Sequence, residues 1–171
     1  MADEGFFVNQ RVELVRGDVF EMSPQKSRHA TAVSLCAEAV RRVFSRAALA
    51  GEVHLRIQGP LVVDRNTELE PDVTAIYGGI RDYRDEHPRS AALVVEVADS
   101  SLDYDLGLKA QLYARAGLAD YGVVDLRAGR VVVHREPTDD GYTSVSEHPD
   151  GETLTPLAAP DGVIAVGELL P

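Results

Sequence analysis

The sequence contains a single cysteine, Cys36, no tryptophan and no long apolar run. One cysteine excludes an internal disulfide and any metal site built from several cysteines. No segment approaches the roughly 18 apolar residues of a transmembrane helix, and the opening MADEGFF has neither the basic flank nor the apolar run of a signal peptide. With 44% hydrophobic and 26% charged residues, we expect one globular domain over residues 1–171, located in the cytoplasm and not in a membrane.

Positive charge is also scarce. The chain has 17 lysines and arginines but 28 aspartates and glutamates, which gives a net charge of −11. Proteins that coat nucleic acid are normally basic, since contacts to phosphates supply much of their affinity. The charge therefore argues against a packaging role. It leaves room for a nuclease with a locally basic groove, or with an acidic cluster that bound metal neutralises.

Two catalytic motifs are missing from the chain. There is no G-x-S-x-G, which argues against a serine hydrolase of the nucleophile-elbow type. The glycine-rich stretch GGIRDYR lacks the GK[ST] ending of a Walker loop, which argues against a nucleoside triphosphatase of that type.

The apolar pattern predicts two main helices. The first covers residues 27–51, with Ser27 as a suitable N-cap and Gly51 as the stop. Its apolar face consists of His29, Val33, Cys36, Val40, Phe44 and Ala47. The second helix covers residues 103–116.

Strands are predicted where short runs rich in β-branched residues lie between turn signals. Single strands are expected at 52–57, 59–64, 71–77, 92–98 and 142–148, and hairpins at 12–23 and at 121–136, where strands 121–126 and 130–136 flank a turn. A short closing strand or helical turn ends the chain. This order predicts an α+β or mixed α/β fold with a central mixed β-sheet, two main flanking helices, an N-terminal hairpin and C-terminal strands.

Two carboxylates interrupt strands that are otherwise apolar. Asp72 lies in PDVTAI, and Glu96 lies between Val95 and Val97 in LVVEVA. Each has an ordinary explanation, as the polar half of an alternating strand or as a buried acid paired with arginine. Two acids on adjacent strands repel each other, so a cation between them is the alternative.

Lys109 interrupts the apolar stripe of the second helix. The stripe contains Leu102, Leu106, Tyr113 and Ala116. A lysine on a buried face is costly unless it meets carboxylates, and Asp105 is a possible local partner one turn earlier. In the other interpretation, Lys109 lies beside Asp72 and Glu96. The two carboxylates would then bind Mg²⁺, and the lysine would assist phosphodiester hydrolysis.

Two stretches together resemble a known family. PDVTAI, followed by VVEVADSSLDYDLGLKAQLYARAGLADYGVVD, is similar to the Uma-type family of restriction-endonuclease-like proteins, whose superfamily site is written PD-(D/E)XK. The resemblance extends from VELVRGDVFEMSP to the C-terminal tail. It implies a restriction-endonuclease-like core and a nuclease that uses Mg²⁺ or Mn²⁺ on nucleic acid, with DNA as the expected substrate. Two sites paired in a homodimer would suit cleavage of a duplex.

The resemblance also assigns roles to individual residues. Asp72 and Glu96 match the metal ligands, with the carbonyl of Val97 as a third. The superfamily lysine would stand at Ala98, and Lys109 from the following helix matches its replacement in Uma-type proteins.

Three further positions match the family. Asp105 matches an acid that precedes the lysine, and Glu13 and His29 match recurrent positions. His29 could equally be a core histidine, and Glu13 a solvated strand residue.

The chain departs from the family pattern at two places. Tyr121-Gly122 stands where the family usually has an aromatic pair, and ADSS replaces a Ser-Pro-Ser-like turn after Glu96. With the acidic charge, the second departure keeps another function open, a nuclease fold that acts as a binding or regulatory module. Hydrolysis of a different phosphoester is a third possibility.

Overall fold

A computed structural model describes residues 11–22 and 24–171 and contains twelve strands and four α-helices. The strands are β1 (Val12–Val15), β2 (Asp18–Glu21), β3 (Val53–Ile57), β4 (Leu61–Asp64), β5 (Thr67–Leu69), β6 (Val73–Tyr77), β7 (Leu93–Ala98), β8 (Asp120–Asp125), β9 (Arg130–Thr138), β10 (Gly141–Pro149), β11 (Thr153–Leu154) and β12 (Ile164–Ala165). The α-helices are α1 (Ser27–Val43), α2 (Ser45–Leu49), α3 (Leu102–Tyr104) and α4 (Ala110–Arg115). A π-helical turn over Asp105–Lys109 joins α3 to α4, and short 3₁₀ turns cover Ile80–Tyr83 and Val166–Leu169.

The largest sheet has six strands in the order β10-β9-β8-β7-β6-β3. Its neighbours are antiparallel except for β7 and β8, which are parallel. A parallel pair needs a crossover, and α3, the π turn and α4 supply it between these two strands. The predicted mixed sheet is confirmed, and the crossover places a helix beside the end of β7.

Both faces of β7 are buried, and alternation along the strand sends its side chains to two cores. Val95 and Val97 pack with α1 on one face. Val94 and Ala98 pack with α4 on the other. Glu96 shares the face of Val94 and Ala98, so it is directed toward the crossover helix.

A second sheet has the order β2-β1-β5-β4. Its β1–β2 hairpin turns at Arg16 and Gly17, which both have positive φ (54° and 91°), as the common two-residue hairpin turn requires. Glu13 and Val15 of β1 are buried, whereas every residue of β2 is exposed. The sheet therefore directs Glu13 inward.

Several predicted boundaries were wrong. The first helix breaks at Phe44, whose backbone (φ −92°, ψ 7°) leaves the helical range where its ring is buried in the core. Lys26, not Ser27, holds the N-cap position and makes no side-chain cap. The short strand β5 was missed. Among the described residues, no helix is both long and apolar enough to cross a membrane.

Candidate active site

A cavity of about 600 Å³ lies between the second sheet, the start of α1 and the crossover helix. All seven residues predicted for the site line it. They are Glu13, His29, Asp72, Glu96, Val97, Asp105 and Lys109. Their contacts form two adjoining clusters, one centred on Lys109 and one on Asp72.

The Lys109 cluster joins one ammonium group to carboxylates from three elements. Nζ lies 2.9 Å from Glu96 Oε1, 3.0 Å from Glu13 Oε1 and 3.7 Å from Asp105 Oδ1. Burial by itself lowers the pKa of Lys109, but the three carboxylates outweigh it and hold that pKa above its ordinary value. Lys109 is therefore a protonated cation, and its local contact with Asp105 is the longest of the three.

Glu96 is only 3% exposed, and one of its oxygens receives two donors. Within the described chain, Lys109 Nζ and Tyr113 Oη both donate to Oε1 at 2.9 Å. Among the residues that the structure describes, none donates a hydrogen bond to Oε2. Burial raises the pKa of Glu96 to about 8, against the opposing effect of Lys109 and with the help of neighbouring carboxylates.

The other two acids of the Lys109 cluster also have fixed partners. Asp105 Oδ2 accepts a hydrogen bond from Ser101 Oγ at 2.6 Å, and burial raises the pKa of Asp105 to about 6. Glu13 accepts hydrogen bonds from the backbone N–H of Glu70 at 3.1 Å and from Tyr104 Oη at 3.4 Å. Since Glu13 is 3% exposed, the interpretation of it as a solvated strand residue is wrong.

The Asp72 cluster surrounds a carboxylate that precedes β6. Asp72 Oδ2 accepts the backbone N–H of Val97 at 2.9 Å and lies 3.2 Å from His29 Nε2. Asp72 Oδ1 accepts the side-chain amide of Gln58 at 3.2 Å. Burial raises the pKa of Asp72, but these hydrogen bonds, led by that of His29, bring it below its ordinary value.

His29 is the partner of Asp72 in this second cluster. The hydrogen bond to Asp72 is the main cause that raises the pKa of His29, and the backbone of Val97 adds to it. Val97 thus contacts both members of the pair. Lys109, by contrast, has its ion pairs with Glu13, Glu96 and Asp105 among the described residues, rather than with Asp72.

Gln58 and Tyr113 were missed as site residues. Gln58 has a left-handed backbone (φ 51°), and its N–H also donates to the carbonyl of Asp72 at 3.1 Å. No sequence signal marked this contact, because it depends on a strained turn 14 residues from Asp72. Tyr113 was assigned to the apolar stripe, although its position one turn after Lys109 placed it beside the same acids.

A π-helical turn presents Asp105 and Lys109 to the cavity. It interrupts the predicted regular helix, so that both charged residues are buried while Leu102 and Leu106 are only partly buried. π turns occur frequently at functional sites, where they rotate side chains relative to a regular helix.

The predicted metal ligands belong to different clusters. Asp72 pairs with His29, and Glu96 pairs with Lys109. Across residues 11–22 and 24–171, no three His, Cys, Asp or Glu side chains meet in a ready-made metal site. Any cation between Asp72 and Glu96 would therefore depend on two carboxylates and on other oxygen donors.

The sequence matches the model of one protein family. The profile of the Uma2 family, described as "putative restriction endonuclease", matches residues 7–167. The chain belongs to the Uma2 family. This membership confirms the resemblance seen in the PDVTAI and VVEVADSS stretches. No curated protein matches this Uma2 chain significantly.

A solved structure resembles this Uma2 chain in fold. The crystal structure of a "putative nuclease belonging to DUF820" from Anabaena variabilis ATCC 29413 matches with a TM-score of 0.74 and 13% identity, over 92% of this chain and 88% of that one. This likeness confirms the predicted fold class. The type IIG restriction endonuclease BpuSI gives a TM-score of 0.44 and 14% identity, over 75% of this chain and 14% of that one.

Proposed function

We propose that this single domain is a Mg²⁺- or Mn²⁺-dependent nuclease that hydrolyses phosphodiester bonds in nucleic acid, with DNA as the expected substrate. The observation that carries the proposal is the convergence of buried acids and one buried lysine in a single cavity. Asp72, Glu96 and Lys109 come from separate elements and line that cavity together. Membership of a family described as putative restriction endonucleases supports this chemistry.

The donor set fits a hard divalent cation. Mg²⁺ and Mn²⁺ prefer carboxylate, carbonyl and water oxygens, and Asp72, Glu96 and the Val97 carbonyl supply the first two kinds. Glu96 Oε2 has no hydrogen-bond donor within the described chain, so it is available as a ligand. Gln58 and Tyr113 are positioned to orient the two carboxylates in the way that partners of metal ligands do.

The charge of the cavity supports the same conclusion. Four buried carboxylates face two cationic groups. The carboxylates are Glu13, Asp72, Glu96 and Asp105, and the cationic groups are Lys109 and His29. If His29 is protonated and all four acids are ionised, two negative charges are in excess. Burial raises the pKa values of Glu96 and Asp105, and the neighbouring carboxylates add to that rise. A divalent cation would balance the excess charge.

The residues of the site have different roles in hydrolysis. A bound Mg²⁺ would polarise the phosphoryl group and lower the pKa of an attacking water. Lys109 is too strongly protonated to act as a base, so we assign it to stabilising negative charge that develops on the phosphate. Its contact with Glu96 also holds that ligand in place. His29 holds Asp72 in the same way, and a bound cation would take over this role.

A cleavage assay tests this proposal. We expect wild-type protein to degrade DNA in Mg²⁺ or Mn²⁺ and to stop in EDTA. Glu96→Gln and Asp72→Asn keep the side-chain volume and remove the anionic ligand, so each should lose at least about a hundredfold in rate. Glu38→Gln, on the exposed face of α1, is the matched control and should cleave normally.

The same assay can contradict the proposal in two ways. Cleavage that persists in EDTA, or in folded Glu96→Gln protein, would refute the assigned chemistry. Wild-type protein that binds Mg²⁺ and DNA but cleaves neither DNA nor RNA would favour a binding or regulatory module instead. Activity restricted to small phosphoesters would replace the polynucleotide substrate.

A further inference from the structure

The acids of the proposed site expose little of their surface. Glu96 is 3% exposed and Asp72 5% exposed, at a cavity of about 600 Å³ walled by the β1–β2 hairpin, α1 and the crossover helix. A volume of this size holds one ligand of moderate size. Duplex DNA is stiff over about 150 base pairs and wide compared with this cavity. It would therefore have to deform before one of its phosphates could reach the acids.

An unpaired strand meets no such obstacle, because its backbone bends freely at each nucleotide. We propose that the substrate enters this cavity as an unpaired nucleic-acid strand, with a base stacked on Phe20 and flanking phosphates on a nearby group of cations. The inference rests on the proposed nuclease function and deepens it by naming the form of the substrate.

Phe20 stands at the rim of the cavity with half of its surface (50%) exposed. It lies on the edge strand β2, directly opposite Glu13 in the β1–β2 register. Directly opposed residues project from the same face of a sheet, so Phe20 lies above the acid that contacts Lys109. An exposed ring beside reactive groups is a platform on which any base can stack.

Three exposed cations, which we name the Lys26 group, supply the phosphate contacts. They are Lys26, which contacts Asp99 where the chain leaves β7, Arg28, which donates from Nη2 to the carbonyl of Leu126 at 2.9 Å, and the neighbouring Arg127. Lys26 Nζ lies 3.0 Å from Asp99 Oδ2, and after this hydrogen bond Arg127 and Arg28 also lower the pKa of Asp99. Lys26 and Asp99 line the cavity themselves. Three cations around one acid make this part of the rim locally basic in a chain of net charge −11, whereas Glu21 lines the cavity on the hairpin side.

The position of these features suits a strand that crosses the cavity. Phe20 belongs to the hairpin wall, whereas the Lys26 group belongs to the start of α1 and to the turn after β8. The buried acids line the same cavity as Phe20 and Lys26. Cleavage of one unpaired strand needs a single site, so this substrate does not require the homodimer that duplex cleavage favours.

Binding measurements test the stacking contact. Fluorescence anisotropy with metal-free Glu96→Gln protein would compare a labelled single strand with the same strand annealed to its complement, and we expect the single strand to bind at least tenfold more tightly. Adding Phe20→Leu should weaken single-strand binding about 5- to 150-fold, the equivalent of the roughly 1–3 kcal/mol of one stacked base. Phe20→Tyr keeps an aromatic face and should bind normally. Val145→Ala, at an exposed apolar residue of β10, is the control.

The salt dependence of single-strand binding tests the proposed phosphate contacts of the Lys26 group. Replacement of Lys26, Arg28 and Arg127 by glutamine should lower the slope of log K against log salt by about 0.7 for each phosphate that the variant no longer neutralises. Arg46→Gln, at an exposed arginine of α2, should leave the slope unchanged. An unchanged slope in the triple variant would overturn the assignment of these cations.

The outcomes separate this inference from the function on which it rests. Wild-type protein that binds and cleaves duplex at least as well as single strand would overturn the unpaired-strand proposal and leave the nuclease intact. Equal binding by the Phe20→Leu and Phe20→Tyr variants would overturn stacking. Failure to bind or cleave either form would overturn the nuclease proposal itself.

Discussion

Replacing Lys109 by methionine should destabilise the protein strongly and in a pH-dependent way. The change keeps most of the side-chain volume and removes the ammonium that contacts Glu13, Glu96 and Asp105 within 2.9–3.7 Å. Removing one partner from a buried ion pair costs about 3–5 kcal/mol. Three buried carboxylates lose their shared cation here, so we expect the upper part of that range.

The pH dependence follows from the same contacts. Burial already raises the pKa of Glu96 to about 8 and that of Asp105 to about 6 while Lys109 is present. Without its charge both pKa values rise further, so these acids take up protons at pH 5.5 and the cost of the substitution shrinks. At pH 8.5 the folded variant must either protonate acids that are ionised in the unfolded chain or hold the buried charges without a cation, so the cost is largest.

Urea denaturation followed by circular dichroism measures this effect at both pH values. At pH 8.5 the variant should lose about 3–5 kcal/mol, or roughly 6–20 °C in melting temperature for a chain of this length. Lys26→Met, at an exposed lysine, serves as the control and should unfold like wild type. A Lys109→Met protein as stable as wild type at pH 8.5, or equally destabilised at both pH values, would refute this account of the cluster.

Three further predictions concern the site and the core. Gln58→Ala, which frees Asp72 Oδ1, should weaken Mg²⁺ binding about 10- to 100-fold by calorimetry; unchanged affinity would show that Gln58 does not position the ligand. Metal-free wild-type protein should lose stability as pH rises from about 4.5 to 8, because Glu96 binds more protons in the folded than in the unfolded state over that window. Glu96 contributes a slope of at most about 1.4 kcal/mol per pH unit, and Glu96→Gln should remove this contribution and leave that of Asp105, whose pKa is raised to about 6. Gly162→Ala would place a Cβ 2.6 Å from Val43 Cβ and should cost about 1–3 kcal/mol in urea unfolding; a neutral result would mean that this segment shifts freely.

The residues most accessible to prediction were those that broke an apolar pattern. Glu96 stood out in a strand of Leu, Val and Ala, and Lys109 stood out in an apolar helix stripe. A charged residue within an apolar pattern indicates a partner of opposite charge elsewhere in the chain, because burying an unpaired charge is costly. Periodicity therefore identified Glu96 and Lys109, which the structure brings to 2.9 Å.

Contacts set by backbone detail could not be predicted. The pairing of Asp72 with Gln58 depends on a left-handed residue, and neither periodicity nor composition encodes one. The π turn has no sequence signature, so the helical wheel predicted the apolar face on which Leu102 and Leu106 pack but not the turn itself. The division of the site into two clusters likewise could not be predicted, because it depends on how α1 packs and so places His29 beside Asp72.

A crystal structure of the protein soaked in Mn²⁺, with anomalous data, tests the central claim most directly. The account predicts one anomalous peak within about 2.0–2.3 Å of carboxylate oxygens of both Asp72 and Glu96, with the Val97 carbonyl as a further ligand. His29 should then release Asp72, while Lys109 keeps its contact with Glu96. A peak elsewhere, or a fully occupied soak with no ion between Asp72 and Glu96, would contradict the assignment of this cavity as a metal-dependent nuclease site.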